Sequence, residues 1–499
     1  MRVLLINPAV EHYYKSVTGP LGVLAIASYL KKGGHEVTFV DRCVKKTDIE
    51  KLIVDNNPQI IGVALMSAKV IVDVREIYNT AKKHGIPVIA GGATASVVPK
   101  LVIDGGCADA VIKGEGEITW AEAVKAVEEG RDFSDVDGMC FVKDGVFTEN
   151  PDRDFADLSQ FPPIDWEMTG DPSVYFQSLF GQKKVLYIYT AKGCPGQCTF
   201  CFNERYQKRC YRKRPLETAL EEVKLLTEKY GMDGVHFSDE IWCRTREEMY
   251  ENCRMIKESG LIFEWGCNFR IGQIKPEDFS NMYDAGCRWI FFGIESGSDH
   301  VQKMMKKGIR LDKVYETVRA CHDAGITAIS SFIVGFPGER EEDLKKTVEL
   351  IQTIPFSMFD CNFFFPFEGT QMHDVLVSEG RYKEAKKIDD LRVLEKSEYK
   401  LVNSINFTEV PTRDIKVVRS WILWQSFTRK IDKNDGKKEL FAFKAAIDAI
   451  RSLFGGGIKH FFLSFGYSAQ MILNVMFNVF CFPSVRKKYG IRLSARKRK

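Results

Sequence analysis

No small-residue cleavage site follows the first apolar run, Met1 to Pro8, so that run reads as a buried strand rather than a signal peptide. No G-x-G-x-x-G follows it either. Asn7-Pro8-Ala9 stands there instead, which argues against a dinucleotide site. No internal repeat or low-complexity tract precedes the C-terminal tail, which removes solenoid and tandem-array architectures. A second C-x2-C is missing although the chain holds 14 cysteines, so an auxiliary metal cluster is not expected. Cysteines without an export signal belong to a reducing compartment, and a cytoplasmic location is expected. Hydrophobic residues at 45% and charged residues at 28% leave no room for wholesale disorder or a fibre.

What is present begins with length: 499 residues suggest two to four domains at roughly 100–200 residues each. The net charge of +4 is local. Ser484 to Lys499 carry eight Lys or Arg and no acid, leaving 63 bases against 67 acids elsewhere, so the basicity belongs to a tail. No nucleic-acid partner is expected of the body.

Residues 1–150 alternate short β-rich runs (Val3–Asn7, Glu36–Asp41, Ile60–Leu65, Val88–Ala90, Ala110–Ile112) with helical stretches such as Leu21–Lys32 and Val70–His84. That alternation predicts βαβ units in a doubly wound α/β domain, whose ligands sit at the carboxyl ends of the strands. Residues 151–183, rich in Pro, Asp and aromatics, read as a linker. A second alternation spans 184–382, with strands at Val185–Thr190, Gly234–Ser238, Phe263–Asn268, Trp289–Ile294, Thr327–Val334 and Asp360–Phe365. Six βα units make a partial (β/α)6 barrel rather than a closed eight-stranded one. Residues 383–499 read as a helical C-terminal region ending in the basic tail.

The strongest chemical signal follows the first barrel strand: Gly193-Cys194-Pro-Gly-Gln-Cys198-Thr-Phe200-Cys201, a C-x3-C-x2-C loop. Chance would place such a pattern in about one chain in a hundred of this cysteine content. Three thiolates on a tight Pro-Gly loop suit an iron–sulfur cluster. Zinc would want a fourth ligand, for which Cys210 is the local candidate.

This loop resembles the signature of the radical S-adenosylmethionine superfamily, with Phe200 as its aromatic residue. The resemblance implies one [4Fe–4S] cluster with an open iron. That iron would chelate S-adenosylmethionine, whose C5′–S bond is then cleaved reductively to a 5′-deoxyadenosyl radical. It also implies a reductant such as flavodoxin or ferredoxin. Further matches stand at strand ends in order: Asp239 and Glu240 after the second, Glu295 and Ser296 after the fourth, Gly335 and Glu339 after the fifth, and Pro366 to Thr370 after the sixth. The resemblance implies that those after the second, fourth and fifth strands serve the methionine, ribose and adenine parts of S-adenosylmethionine.

The pattern Asn7-Pro8, Pro20, Gly22, Asp41, Gly91-Gly92, Gly114-Glu115-Gly116-Glu117 resembles the cobalamin-binding domain of cobalamin-dependent radical enzymes. Glycines there would admit a large corrin. The motif D-x-H-x-x-G is absent, and Thr94 stands where the family often has histidine, so no histidine ligand to cobalt is expected. Met66, Ser67 and Lys69 after the third strand either face the lower side of the corrin or form an ordinary loop.

Phe461 to Phe482 is uncharged over 22 residues, long enough to span a bilayer. Its amides at Gln470, Asn474 and Asn478 lie on one helical face, opposite Phe461, Ile472, Met476, Val479 and Phe480. That favours an amphipathic helix, lying on an anionic membrane or docked on protein, over a spanning one. The whole implies a cobalamin-dependent radical methyltransferase acting on an unactivated carbon of a small-molecule or lipid-like substrate. The alternatives are an oxidative cyclase with the same cofactors, a methylthiotransferase of transfer RNA, and a non-enzymatic binding protein.

Overall fold

A computed structural model describes residues 1–10, 19–179, 182–356, 358–391, 405–428, 430–432, 438–440 and 475–493. The N-terminal sheet contains β1 (Arg2–Asn7), β2 (Glu36–Asp41), β3 (Ile60–Ala64), β4 (Val88–Gly91), β5 (Ala110–Ile112), β6 (Met139–Lys143) and β7 (Val146–Glu149). Its order is β2-β1-β3-β4-β5-β6-β7, parallel through β5 and antiparallel thereafter. The continuous apolar run in β1 is what burial on both faces demands. Leu4 and Ile6 enter one core with Ile49 and Val74, while Val3 and Leu5 enter another with Ala27 and Trp120. The strand order reverses beside β1, so a crevice opens at the carboxyl ends of β1 and β3.

The second sheet comprises β8 (Gln177–Leu179), β9 (Gln182–Ile188), β12 (Gly234–Phe237), β13 (Glu264–Phe269), β14 (Cys287–Glu295), β15 (Thr327–Val334) and β16 (Met358–Phe363). Strands β9 to β16 are parallel and neighbour one another in chain order, and β8 adds an antiparallel edge. Val185 of β9 clusters with Trp289 of β14 and Ile329 of β15. Strands that far apart in a flat sheet could not touch, since neighbours are about 4.8 Å apart. The sheet therefore curls into the expected partial barrel. Between β9 and β12 lies a small ribbon of β10 (Ala191–Lys192) and β11 (Arg212–Lys213).

Residues 151–183 form more than a linker. They wind through three short helical turns, and Trp166 and Tyr175 are fully buried. Trp166 Nε1 donates to Glu222 of the barrel at 3.1 Å, and Tyr175 Oη donates to Asp41 of the first domain at 2.9 Å. The aromatics make the segment a strap holding both domains.

In the C-terminal region the expected helix stands at Thr412–Thr428, packed on β16 through Arg419 Nε donating to Cys361 O. A short antiparallel pair, Lys430–Asp432 with Lys438–Leu440, follows where helix was expected. Residues 461–474 lie outside the described residues. Residues 475–481 are helical, with Val475 and Val479 buried and Asn478 Nδ2 donating to Ser420 Oγ at 3.1 Å. Asn478 and Val479 thus both meet protein here, while Met476, Phe477 and Phe480 are exposed, so this end of the segment is docked on protein, one of the arrangements expected. The first part of the basic tail is also folded: Lys488 reaches Asp414 at 2.9 Å, and Trp421 Nε1 donates to Arg492 O. Among the described residues no helix is long and apolar enough to cross a membrane.

Candidate functional site

The cysteine loop is built on backbone geometry. Gly193 has φ +83, and a Cβ there would stand 2.0 Å from Cys210 O, so only glycine lets the chain turn out of β10. Asn203 Oδ1 accepts from Cys194 N at 3.1 Å and its amide donates to Cys194 O, clamping the first cysteine. Gly196 leaves room between thiols: a Cβ there would lie 3.2 Å from Cys194 Sγ and 3.8 Å from Cys198 Sγ. The Cys201 N–H donates to Cys198 O. Burial pushes the Cys194 thiol up, and the Cys201 thiol up to about 11.

Among the described residues no three His, Cys, Asp or Glu side chains converge tightly enough for a single ion. A polynuclear cluster takes one thiolate per iron and spaces its ligands more widely, so three soft donors on one loop fit it. Two cations flank the loop. Arg270 Nη1 would lie 3.2 Å from a Cβ at Gly196, and Lys307, largely buried, lies over the Phe200 ring at 5.8 Å. Neither cation was singled out from the sequence; nothing local marks them, because the fold alone brings them to the loop.

The strand-end residues divide by role. Asp239 is buried and accepts from Thr190 N (2.7 Å), Ala191 N (2.8 Å) and Thr190 Oγ1 (2.6 Å), fixing the exit of β9. Burial pushes its carboxyl up to about 7. Glu240 Oε2 accepts from Gly193 N at 3.0 Å. Glu295 sits at φ +68, where the β14–β15 register shifts. That backbone is strained for a non-glycine residue. Its carboxylate is held by Lys307 (2.8 Å) and Ser331 (3.2 Å). Ser296 is buried against Thr347 and Ser298 and shapes the turn. Gly335, at φ +79, donates its N–H to Glu339 Oε2 at 2.6 Å, and burial pushes Glu339 up to about 8. The loop after β16 is tied to the cysteine loop through Met372 N donating to Thr199 O.

A cavity of about 820 Å³ opens between the two domains. Asn7, Pro20, Gly22, Ser67, Gly91, Gly92, Gly114 and Glu115 line it from the first domain, and Ala191, Lys192, Ser238 and Glu240 from the barrel. Asp41 stands behind the lining, accepting from Asn7 Nδ2 and Tyr175 Oη at 2.9 Å each. Within 4 Å of a Cβ built on Gly22, Gly91 or Gly114 there is no atom, so a side chain at any of them would project into open space. This glycine cradle fits a large flat ligand. Met66 borders the cavity and its carbonyl accepts from Thr94 Oγ1 at 3.1 Å. Glu115 faces the cavity, yet its carboxylate is engaged by Arg212 and Lys192. Phe200, Glu295, Ser296, Gly335 and Glu339 lie on the barrel side, apart from this lining.

Residues 188–351 match the family model of the radical SAM superfamily, and residues 9–124 match that of the B12-binding domain. The chain is 26% identical to an uncharacterized methyltransferase of Pyrococcus horikoshii, over 76% of this chain and 83% of that one. It is also 26% identical to the anaerobic magnesium-protoporphyrin IX monomethyl ester cyclase of Rubrivivax gelatinosus, over 75% and 70% respectively. Among solved structures, it resembles the radical S-adenosylmethionine methyltransferase TsrM of Kitasatospora setae with cobalamin and a [4Fe-4S] cluster bound. The TM-score is 0.63 at 20% identity, over 76% of this chain and 75% of that one.

Proposed function

The chain belongs to the cobalamin-dependent radical S-adenosylmethionine enzymes, and we propose that within them it methylates an unactivated carbon of a small-molecule or lipid-like substrate. The observation that carries this reading is the cavity. It joins the glycine cradle of the first domain to Ala191, Lys192, Tyr206 and Gln207 of the barrel, which flank the cysteine loop along the chain, so one substrate can lie between two reactive centres. When bound, the cluster and S-adenosylmethionine supply a carbon radical by reductive C–S cleavage, and cobalamin supplies a transferable methyl group.

This chain's own residues provide the setting. Cys194, Cys198 and Cys201 present three thiolates, and Arg270 and Lys307 offset their charge. Glu295 holds Lys307 in place, leaving Phe200 packed at 6.4 Å on Phe336. Leu5, Val10, Val63 and Trp120 give the cavity an apolar wall that excludes water from a radical reaction. Asn7, Asp41 and Tyr175 lock the ends of β1 and β2 beneath it.

The test is anaerobically reconstituted protein with methyl-labelled S-adenosylmethionine, a reductant such as flavodoxin and candidate substrates. Label should appear in the product together with 5′-deoxyadenosine. The cyclase reading draws on the likeness to the Rubrivivax gelatinosus protein, and 5′-deoxyadenosine formed with an unlabelled, oxidised product would favour it. We also propose contact with a membrane surface through Met476, Phe477 and Phe480, beside Arg486 and Lys487. Flotation with anionic liposomes should then weaken in high salt.

A further inference from the structure

The Gly114–Glu117 turn does two things at once. Gly114, Glu115, Gly116 and Glu117 all line the cavity, and both carboxylates also reach the barrel. Glu117 Oε1 meets Lys192 Nζ at 2.6 Å, and Glu115 meets the same ammonium at 3.5 Å. Glu115 also grips Arg212 in a fork, Oε1 to Nη2 at 2.5 Å and Oε2 to Nη1 at 2.8 Å. All four side chains are largely buried. Arg212 lies over Phe155 at 4.1 Å, and Lys192 lies over Tyr189 at 5.5 Å. Lys192 and Arg212 are register partners in the β10–β11 ribbon. That ribbon closes the loop holding Cys194, Cys198 and Cys201, and Lys192, Tyr206 and Gln207 on it return to line the cavity.

We propose that this cluster of two acids and two bases is a coupling device. It makes occupancy of the cobalamin cradle and order in the cluster-binding loop depend on each other, and Lys192, Glu115, Glu117 and Arg212 act as positioning residues. An adhesive ion pair elsewhere on the interface would hold the domains without linking the sites. Here one turn serves both cradle and grip, and one ribbon serves both grip and cysteine loop. A ligand that fixes the turn in its cavity-lining position presents both carboxylates to the ribbon, and a cluster that fixes the loop presents both cations to the turn. Buried charges in such a set depend on every member, because removing one leaves another uncompensated. Linkage then requires the effect to be reciprocal.

The proposal rests on the reading that the first domain takes cobalamin and the loop takes a cluster. Its test is titration of the full-length chain with hydroxocobalamin, followed by visible absorption, with the cluster absent and with it reconstituted. The wild-type chain should bind about tenfold or more tightly once the cluster is in place, within the usual range of such couplings. In the paired variant Lys192→Met with Glu117→Gln, whose side chains border the cavity, the cluster-free affinity for cobalamin is measured first as the variant's own baseline. The iron load should persist, but the cluster should no longer change the affinity. Glu115→Gln with Arg212→Met should behave alike, and Lys192→Arg should keep the coupling. Undiminished coupling in both paired variants overturns the proposal, as does a wild-type chain that binds both groups with independent affinities. Should one pair fail to fold, the other decides. A wild-type chain that takes up no cobalamin overturns the underlying reading as well, and it shows that before any substitution is made.

Discussion

Asp239 is a carboxylate with three donors and no ion pair among the described residues, Arg214 acting on it only through space, so hydrogen bonds support its charge while burial works against it. Burial wins, raising the group from its ordinary 3.8 to about 7. A raised carboxyl contributes stability that is fully present below its unfolded value and lost as pH climbs through the folded value. The window is therefore about pH 4 to 7. Buried Glu339, pushed up to about 8, acts in the same direction, whereas His236, lowered to about 4 by burial, acts in the opposite one. Comparing wild type with a single substitution isolates Asp239. In Asp239→Asn the amide oxygen still accepts from both backbone N–H groups and the NH2 donates to Thr190 Oγ1, so the fold should persist. The urea midpoint of the variant relative to wild type should rise between pH 5 and pH 7.5. A gap that does not move with pH would show that Asp239 does not titrate in that window.

At the scale of elements, the helix at 475–481 is a packed part of the barrel domain. Val479 is fully buried among Val418, Trp421 and their neighbours, while Phe480 two-fifths faces solvent. Val479→Asp buries a carboxylate among apolar side chains and should cost on the order of 3 kcal/mol, read as a lowered thermal midpoint. Phe480→Asp gives up an edge contact with Trp424 at 5.4 Å and should cost clearly less. Equal losses from both would mean that the helix is not docked in this orientation. The docking was left open by the sequence because a helical wheel gives faces, not partners: Asn478 looks like a solvent residue until Ser420 stands opposite it. Elsewhere elements were legible where pattern and punctuation agree. Leu21–Lys32, Glu36–Asp41, Leu216–Tyr230 and Thr327–Val334 stand as the periodicity places them, because each has its own run of buried residues between turn signals. The β6–β7 hairpin escaped because half of it, Val146–Glu149, is exposed or half-exposed and carries no apolar alternation. The strap at 151–183 escaped for a related reason: Trp166 and Tyr175 are spaced for partners in two other domains, not for a local period. The cysteine loop was legible outright, whereas Arg270, Lys192 and Arg212 were not, since their significance lies in charges brought from distant segments.

At the scale of the whole molecule, the cavity belongs to neither domain alone. Its cradle comes from the carboxyl ends of parallel strands, where doubly wound sheets bind ligands, and its roof comes from the mouth of the barrel. The strap through Trp166 and Tyr175 and the ionic set at Lys192 hold these halves at one separation. That separation matters because a radical centre and a methyl donor must reach the same carbon. The floor of the cradle decides how cobalt is held from below. Gly92 at φ +105 brings the backbone close to Met66, whose Sδ would lie 2.9 Å from a Cβ there, and Thr94 spends its hydroxyl on Met66 O. Among the described residues lining the cavity there is no histidine. A thioether is a weak donor, so the floor offers packing rather than a nitrogen ligand. Electron paramagnetic resonance of cob(II)alamin bound to the full chain should then show cobalt hyperfine lines without nitrogen superhyperfine splitting. A resolved nitrogen triplet would overturn this. It would mean either that the cofactor keeps its own base coordinated, or that a histidine outside the described lining reaches the metal. Cobalamin carrying 15N in its own base separates the two, since only the first then turns the triplet into a doublet.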